Sequence, residues 1–178
     1  MNNLSRWLHK HTNGRSLALT FALTFAIIAL MQSSLPMTNT ALLAVSGENI
    51  LDITFYYDSG EALRRAEAYG PEGRSIYLRF LLLDFLFIPA YSLAAAFLIS
   101  ALARKADGIS DSRANLLPLL MGLGDFIENN CTLMLLTSYP DSSTVIASIG
   151  SSATMLKYLF GVATLGAVLN FMARRFAR

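Results

Sequence analysis

The sequence predicts an all-α membrane protein, a bundle of four transmembrane helices with a small ordered extracytoplasmic cap. Three observations point there. Hydrophobic residues make up 54% of the 178 positions and charged residues only 15%, against roughly 25% charged in an average soluble domain. Four apolar stretches approach the roughly 20 residues that a bilayer crossing needs. Lysine and arginine gather on one side of those stretches.

The same arithmetic excludes several classes. A net charge of +2 is too small and too scattered for a nucleic-acid footprint. A single cysteine rules out a disulfide framework within the chain and a cysteine-based zinc site. Both histidines, His9 and His11, lie near the N-terminus, so histidine-based metal or triad chemistry has no material further on. They sit on a basic segment with Trp7, which reads as an interfacial anchor.

The first span is 16–36. Its apolar core runs from Ala18 to Met31, broken only by Thr20 and Thr24. A basic start before an apolar run also fits a signal peptide. The small-residue pattern that resembles a cleavage site, Val45-Ser46-Gly47, lies too far past the core, so a retained signal-anchor helix is expected. An outer loop, 37–75, follows. Leu51, Ile53, Phe55 and Tyr57 alternate with more polar neighbours. That period of two reads as one short strand or as an extended segment packed on the bundle top. Asp58-Ser59-Gly60-Glu61 is a helix N-cap with a capping-box glutamate. The pattern predicts a helix from Asp58 to Tyr69, stopped by Gly70, with Pro71 in the first turn of the next helix. That helix should continue directly into the second span. The loop therefore reads as a cap that closes the bundle, or as a lid over a site.

The second span, 76–102, contains Pro89, which should kink it or free the carbonyl of Phe85. A short polar connection from Ala103 to Asn115 leads to the third span, 116–139, with Pro118 in its first turn. The fourth span is 152–173. An even number of crossings puts both termini on one side. That side carries Arg6, Lys10, Arg15, Arg104, Lys105, Arg113, Arg174, Arg175 and Arg178, and the other carries Arg64, Arg65 and Arg74. The bias predicts cytoplasmic termini and, in a bacterium, the inner membrane. The whole chain is expected to form one integral membrane domain.

Ionisable residues inside the spans are the informative ones, because a charge at the bilayer centre costs about 2.5–3.5 kcal/mol on insertion scales and normally faces the bundle interior. They are Arg79, Asp84, Asp125, Glu128 and Lys157. A rise of about 1.5 Å per residue puts Arg79 roughly 4 Å below the outer surface, Lys157 about 8 Å, Asp84 about 10–12 Å, Glu128 about 12–15 Å and Asp125 about 16–20 Å. Asp84, Glu128 and Lys157 thus reach similar heights. Arg79 and Lys157 are also shallow enough to snorkel. Asp125, Glu128, Asn129 and Thr132 share one helix stripe, as do Tyr77, Asp84 and Tyr91, and again Thr154, Lys157, Tyr158 and Gly161. The candidate ligand-binding residues are accordingly Arg79, Asp84, Tyr91, Asp125, Glu128, Asn129 and Lys157. Asp84, Asp125 and Glu128 are the candidates for acid–base chemistry. Cys131 reads as an inert core thiol.

The run Gly60-Glu61, Tyr69 through Arg74, Tyr77-Leu78-Arg79-Phe80 and Asp84, followed by Asp125-x-x-Glu128-Asn129 and Lys157, resembles bacterial four-helix inner-membrane proteins of uncharacterised activity. The resemblance covers residues 50–160 loosely and implies topology alone. The four-helix layout also resembles the vitamin K epoxide reductases, but their Cys-x-x-Cys pair is absent, which excludes that chemistry.

The leading functional expectation is a non-catalytic partner or assembly subunit of a membrane complex with a buried polar core. The alternatives are a small-molecule or lipid-headgroup site with acid–base chemistry in the outer half of the bundle, and a proton-coupled transporter subunit. The chain lacks G-x-S-x-G, a P-loop and metal-ligand histidine clusters, which weakens the enzyme class without removing proton transfer. No metal or cofactor is implied. The expected partners are the lipid bilayer and either other membrane subunits or further copies of this chain, not nucleic acid.

Overall fold

Short capping signals decide where the helices of this chain start and stop. Thr38 takes an extended backbone and its side chain accepts from the Ala41 N–H, opening a helix that Gly47 closes in the left-handed conformation at φ 73°. Asp58 does the same for the next helix, accepting from the Glu61 N–H at 2.8 Å. Gly70 then adopts φ 60°, a conformation that costs any residue with a Cβ about 1–2 kcal/mol.

A computed structural model describes residues 3–107 and 112–176. Residues 108–111 of the expected polar connection and Arg178 of the basic side lie outside the described residues. The elements are α1 (Asn3–His11), α2 (Gly14–Met31), α3 (Asn39–Ser46), a 3-10 turn (Leu51–Ile53), α4 (Ser59–Ala68), α5 (Gly70–Asp107), a second 3-10 turn (Arg113–Leu116), α6 (Leu117–Thr137) and α7 (Thr144–Phe176). Three of them, α2, α5 and α7, are long and apolar enough to cross a membrane, as in a multi-pass membrane protein.

The expected elements shift in several places. The short strand proposed near Leu51–Tyr57 is not formed, and there is no strand among the described residues. An isolated strand leaves its backbone groups unpaired. Here Leu51–Ile53 instead closes a 3-10 turn, with Thr54 N–H bonded to the Leu51 carbonyl at 2.8 Å. The short helix α4 is present as expected, and α5 runs on without a break from Gly70 through the second apolar stretch. Pro89 lies inside it. Helix α7 starts at Thr144, eight residues before the expected span. Helix α6 has 21 residues, carries Asp125, Glu128, Asn129 and Asn130 along its middle, and is not among the three helices long and apolar enough to cross a membrane. Helices α1 and α3 were not expected.

The chain divides into two compact units. The first comprises Met1–Phe25, Pro89–Leu123 and Lys157–Arg178, and the second Ala26–Ile88 and Gly124–Leu156. In the first, Leu8 packs with Ala96 and Phe97, and a separate cluster gathers Ile99, Ala103, Ala106 and Phe171. In the second, one apolar core joins Leu42 of α3, Leu51, Tyr57, Ala62 and Ala66 of α4, Tyr77 and Leu81 of α5, Leu135 of α6 and Ala147 of α7. Burying a leucine such as Leu42 or Leu51 completely is worth about 1.5–3 kcal/mol, which is why the α3–α4 region is ordered rather than a loose loop.

Candidate functional site

Within the second unit, α6 presents its polar stripe inward. Glu128 and Asn129 are wholly buried, and Thr132 and Asp125 almost so. The Asn129 side-chain amide donates to Asp84 of α5 at 2.7 Å. The Thr154 hydroxyl of α7 lies 2.6 Å from Glu128 Oε1 and 3.0 Å from the Gly150 carbonyl. A carboxyl on one helix and a hydroxyl or amide on the next thus tie α6 to both neighbours.

The Thr154 geometry suits two proton arrangements. A hydroxyl carries one proton. If Thr154 gives it to Glu128, the accepting Oε1 carries no proton, whether the carboxyl is ionised or protonated on its other oxygen. If Thr154 gives it to the Gly150 carbonyl, a protonated Glu128 donates to Thr154 over the same distance. The contact therefore holds Glu128 in either charge state.

Above this layer sit residues of the α3–α4 region. The Tyr57 N–H donates to the Ser151 hydroxyl at 3.1 Å. Gly150 makes this approach possible, since a Cβ there would stand 3.1 Å from both the Tyr57 hydroxyl and the Cys131 Cβ. Burial first, and the Glu128 charge second, push the Tyr57 phenol well above its ordinary pKa, against the opposing effect of a hydrogen bond with Thr154. Tyr57 therefore stays a neutral hydrogen-bonding group. Further up, the Tyr77 hydroxyl accepts from the Leu51 N–H at 2.8 Å and donates to the buried Asp52. Tyr69 donates to the Asn49 carbonyl at 2.7 Å.

On the exposed side of α4, Arg64 bonds both Glu61 and Glu48 at 2.7 Å, and Arg65 bonds Glu61 at 2.7 Å. Arg74 donates to the Ala66 carbonyl and lies 4.3 Å over the Tyr139 ring.

Of the residues singled out in sequence, the structure joins Asp84 to Asn129 directly and places Asp125 and Glu128 on the same inward stripe. Arg79 is exposed and turns back onto Ser75 of its own helix at 3.2 Å. Half-buried Tyr91 and buried Lys157 belong to the first unit, where the Lys157 ammonium lies 5.8 Å from the Tyr158 ring. Tyr57, Gly150, Ser151 and Asp52 escaped sequence reasoning. The signal available was a glycine followed by serine at the start of a long helix, the small surface against which a loop aromatic can seat.

Two buried polar atoms on the stripe, Asn129 Oδ1 and Thr132 Oγ1, have no hydrogen-bond partner within the described protein. An open groove of about 390 Å³ lies on the same unit, lined by Ser59, Thr144, Val145, Ser148, Ile149 and Ser152. None of the candidate residues lines it, and Ser148 and Ser152 spend their hydroxyls on carbonyls of their own helix. Among the described residues no three of histidine, cysteine, aspartate and glutamate gather as a metal-ligand set. No known protein family, characterised protein or solved structure matches the chain.

Proposed function

We propose that the chain is a multi-pass inner-membrane protein whose α5, α6 and α7 enclose a binding site for a small polar molecule, with Glu128 able to take up or release a proton there. In this reading α6 crosses the membrane as well, which makes four crossings, both termini are cytoplasmic, and the α3–α4 region is the outer cap. The supporting observation is the pair of unsatisfied buried atoms, Asn129 Oδ1 and Thr132 Oγ1, beside the Asp84 and Glu128 contacts. Buried polar groups in proteins are almost always hydrogen-bonded, and in a bilayer water is not at hand to replace a missing partner. An occupant carrying hydrogen-bond donors satisfies both atoms.

Mass spectrometry of the purified protein tests the site. A small polar molecule should be released from the wild type. Asp84→Asn should lower its amount by about tenfold or more, the weight of one buried hydrogen bond to a charged group. Reporter fusions at Gly60 and at the C-terminus test the topology, and finding both in one compartment would overturn it.

The second reading is a partner or assembly subunit. It draws on the face of α7 around Gly166, where a Cβ would meet nothing within 4 Å and Val162, Leu165 and Leu169 are exposed. Small residues let membrane helices approach closely. No released molecule, together with a stoichiometric protein partner, favours this reading over the first.

A further inference from the structure

Among the described residues, helix α1 is held to the first unit by the face that carries Ser5, Leu8 and His9. Ser5 donates to Asn115 at 2.8 Å, His9 Nε2 lies 3.0 Å from the Ser112 carbonyl, and Leu8 is fully buried. Arg104 donates to the His9 carbonyl at 2.6 Å, closing the last turn of the helix. This attachment leaves two other edges outward. Leu4 and Trp7 are nearly half exposed, and the Trp7 ring packs on His11 at 4.4 Å. Residues at i, i+3 and i+7 share an edge, so Leu4, Trp7 and His11 form one aromatic and apolar strip. Arg6 and Lys10, at i and i+4, form a basic strip beside it, and both are exposed.

The surroundings of these strips follow from continuity. Only Thr12 and Asn13 separate α1 from α2, which is apolar enough to cross a membrane. The helix is therefore tethered at the bilayer surface. Charge complementarity names the lipid. No aspartate or glutamate occurs before Glu48, and Arg15 adds a further cation at the start of α2.

We propose that α1 is an interfacial helix that binds anionic phospholipid, with Leu4 and Trp7 at the boundary of headgroups and acyl chains and Arg6 and Lys10 on the phosphates. The proposal rests on α2 crossing the bilayer and is independent of the polar site on α6.

Trp7 is the single tryptophan, so tryptophan fluorescence of the whole chain reports α1 alone. The full-length protein is reconstituted into liposomes of phosphatidylcholine with a minority of phosphatidylglycerol, with bromine on the chains of one lipid or the other. Brominated phosphatidylglycerol should quench Trp7 with an apparent preference of about fivefold over brominated phosphatidylcholine, the weight of one lysine or arginine near a charged surface. High salt should abolish the preference. So should the double variant Arg6→Gln/Lys10→Gln, whose helical content serves as the folding control. Equal quenching by the two lipids overturns the anionic preference. No quenching by either overturns the interfacial placement. A preference that survives in the double variant overturns the assignment to Arg6 and Lys10.

Discussion

The second unit contains two polar networks built on opposite plans. At the surface, Arg64 and Arg65 of α4 face Glu61 of the same helix and Glu48 just after α3, with the Arg64 side chain 52% exposed. On α6, Asn129 meets Asp84 and Glu128 meets Thr154 with every one of these residues buried. Full charges in water gain little from each other, because solvent and salt screen them and holding two long side chains costs entropy. A buried carboxyl gains more from a short contact with an amide or hydroxyl, because an unmade hydrogen bond there has no water to replace it. The surface network trims the edge of α4, whereas the buried one decides how three helices pair.

Thr154→Val tests that contrast most sharply, since it removes the hydroxyl and keeps the shape. It should lower stability by about 0.5–3 kcal/mol, the lower half of that range for a protonated Glu128 and the upper half for an ionised one, read as an earlier thermal transition in detergent. No measurable change would mean that Glu128 does not depend on α7.

Tyr77→Phe probes the junction between the two plans. Its hydroxyl is the acceptor for the Leu51 N–H and a donor to Asp52. Losing both bonds should cost about 1–3 kcal/mol. The check is local: amide exchange at Leu51 should speed up while α6 keeps its protection. Uniform loosening of both would show that the α3–α4 region and the helices unfold as one.

How far the sequence foretold this depended on how local the signal was. The apolar runs gave α2, α5 and α7, because the length and hydropathy of one segment suffice. Asp58, Glu61 and Gly70 gave the ends of α4, because capping is a contact between near neighbours. The same logic held for Thr38 and Gly47 around α3, but with no apolar run of spanning length between them the pair was passed over. The alternation at Leu51–Tyr57 predicts one buried face, but Leu51–Ile53 turns as a 3-10 helix, which buries Asp52 and leaves Ile53 and Phe55 exposed. Only a second strand makes such an alternation a sheet, and none is formed among the described residues. At the candidate site, depth and facing brought Asp84 and the α6 stripe to similar heights. The seating of Tyr57 on Ser151 spans 94 positions of sequence and hinges on Gly150, and no periodicity encodes such a contact.

The smallest effect belongs to the surface network, and pH isolates it. Hydrogen bonds from Arg64, and next from Arg65, hold the Glu61 carboxyl at a pKa of about 2, below its ordinary value of 4.5. A carboxyl whose pKa falls on folding binds fewer protons folded than unfolded. The stabilisation is therefore complete above about pH 4.5 and drains away as the pH falls through about 2. Because Glu61 is solvent-accessible, screening keeps the effect small and local to α4, whose N-cap Asp58 bonds the Glu61 N–H. Amide exchange along Ser59–Ala68, followed from pH 5 to pH 2 with intrinsic acid effects divided out, should show protection falling in the wild type. In Glu61→Gln the starting protection should be slightly lower and its slope with pH flatter. An identical acid slope in the two proteins would move the titration to another carboxyl and remove Glu61 from the account of how α4 is held.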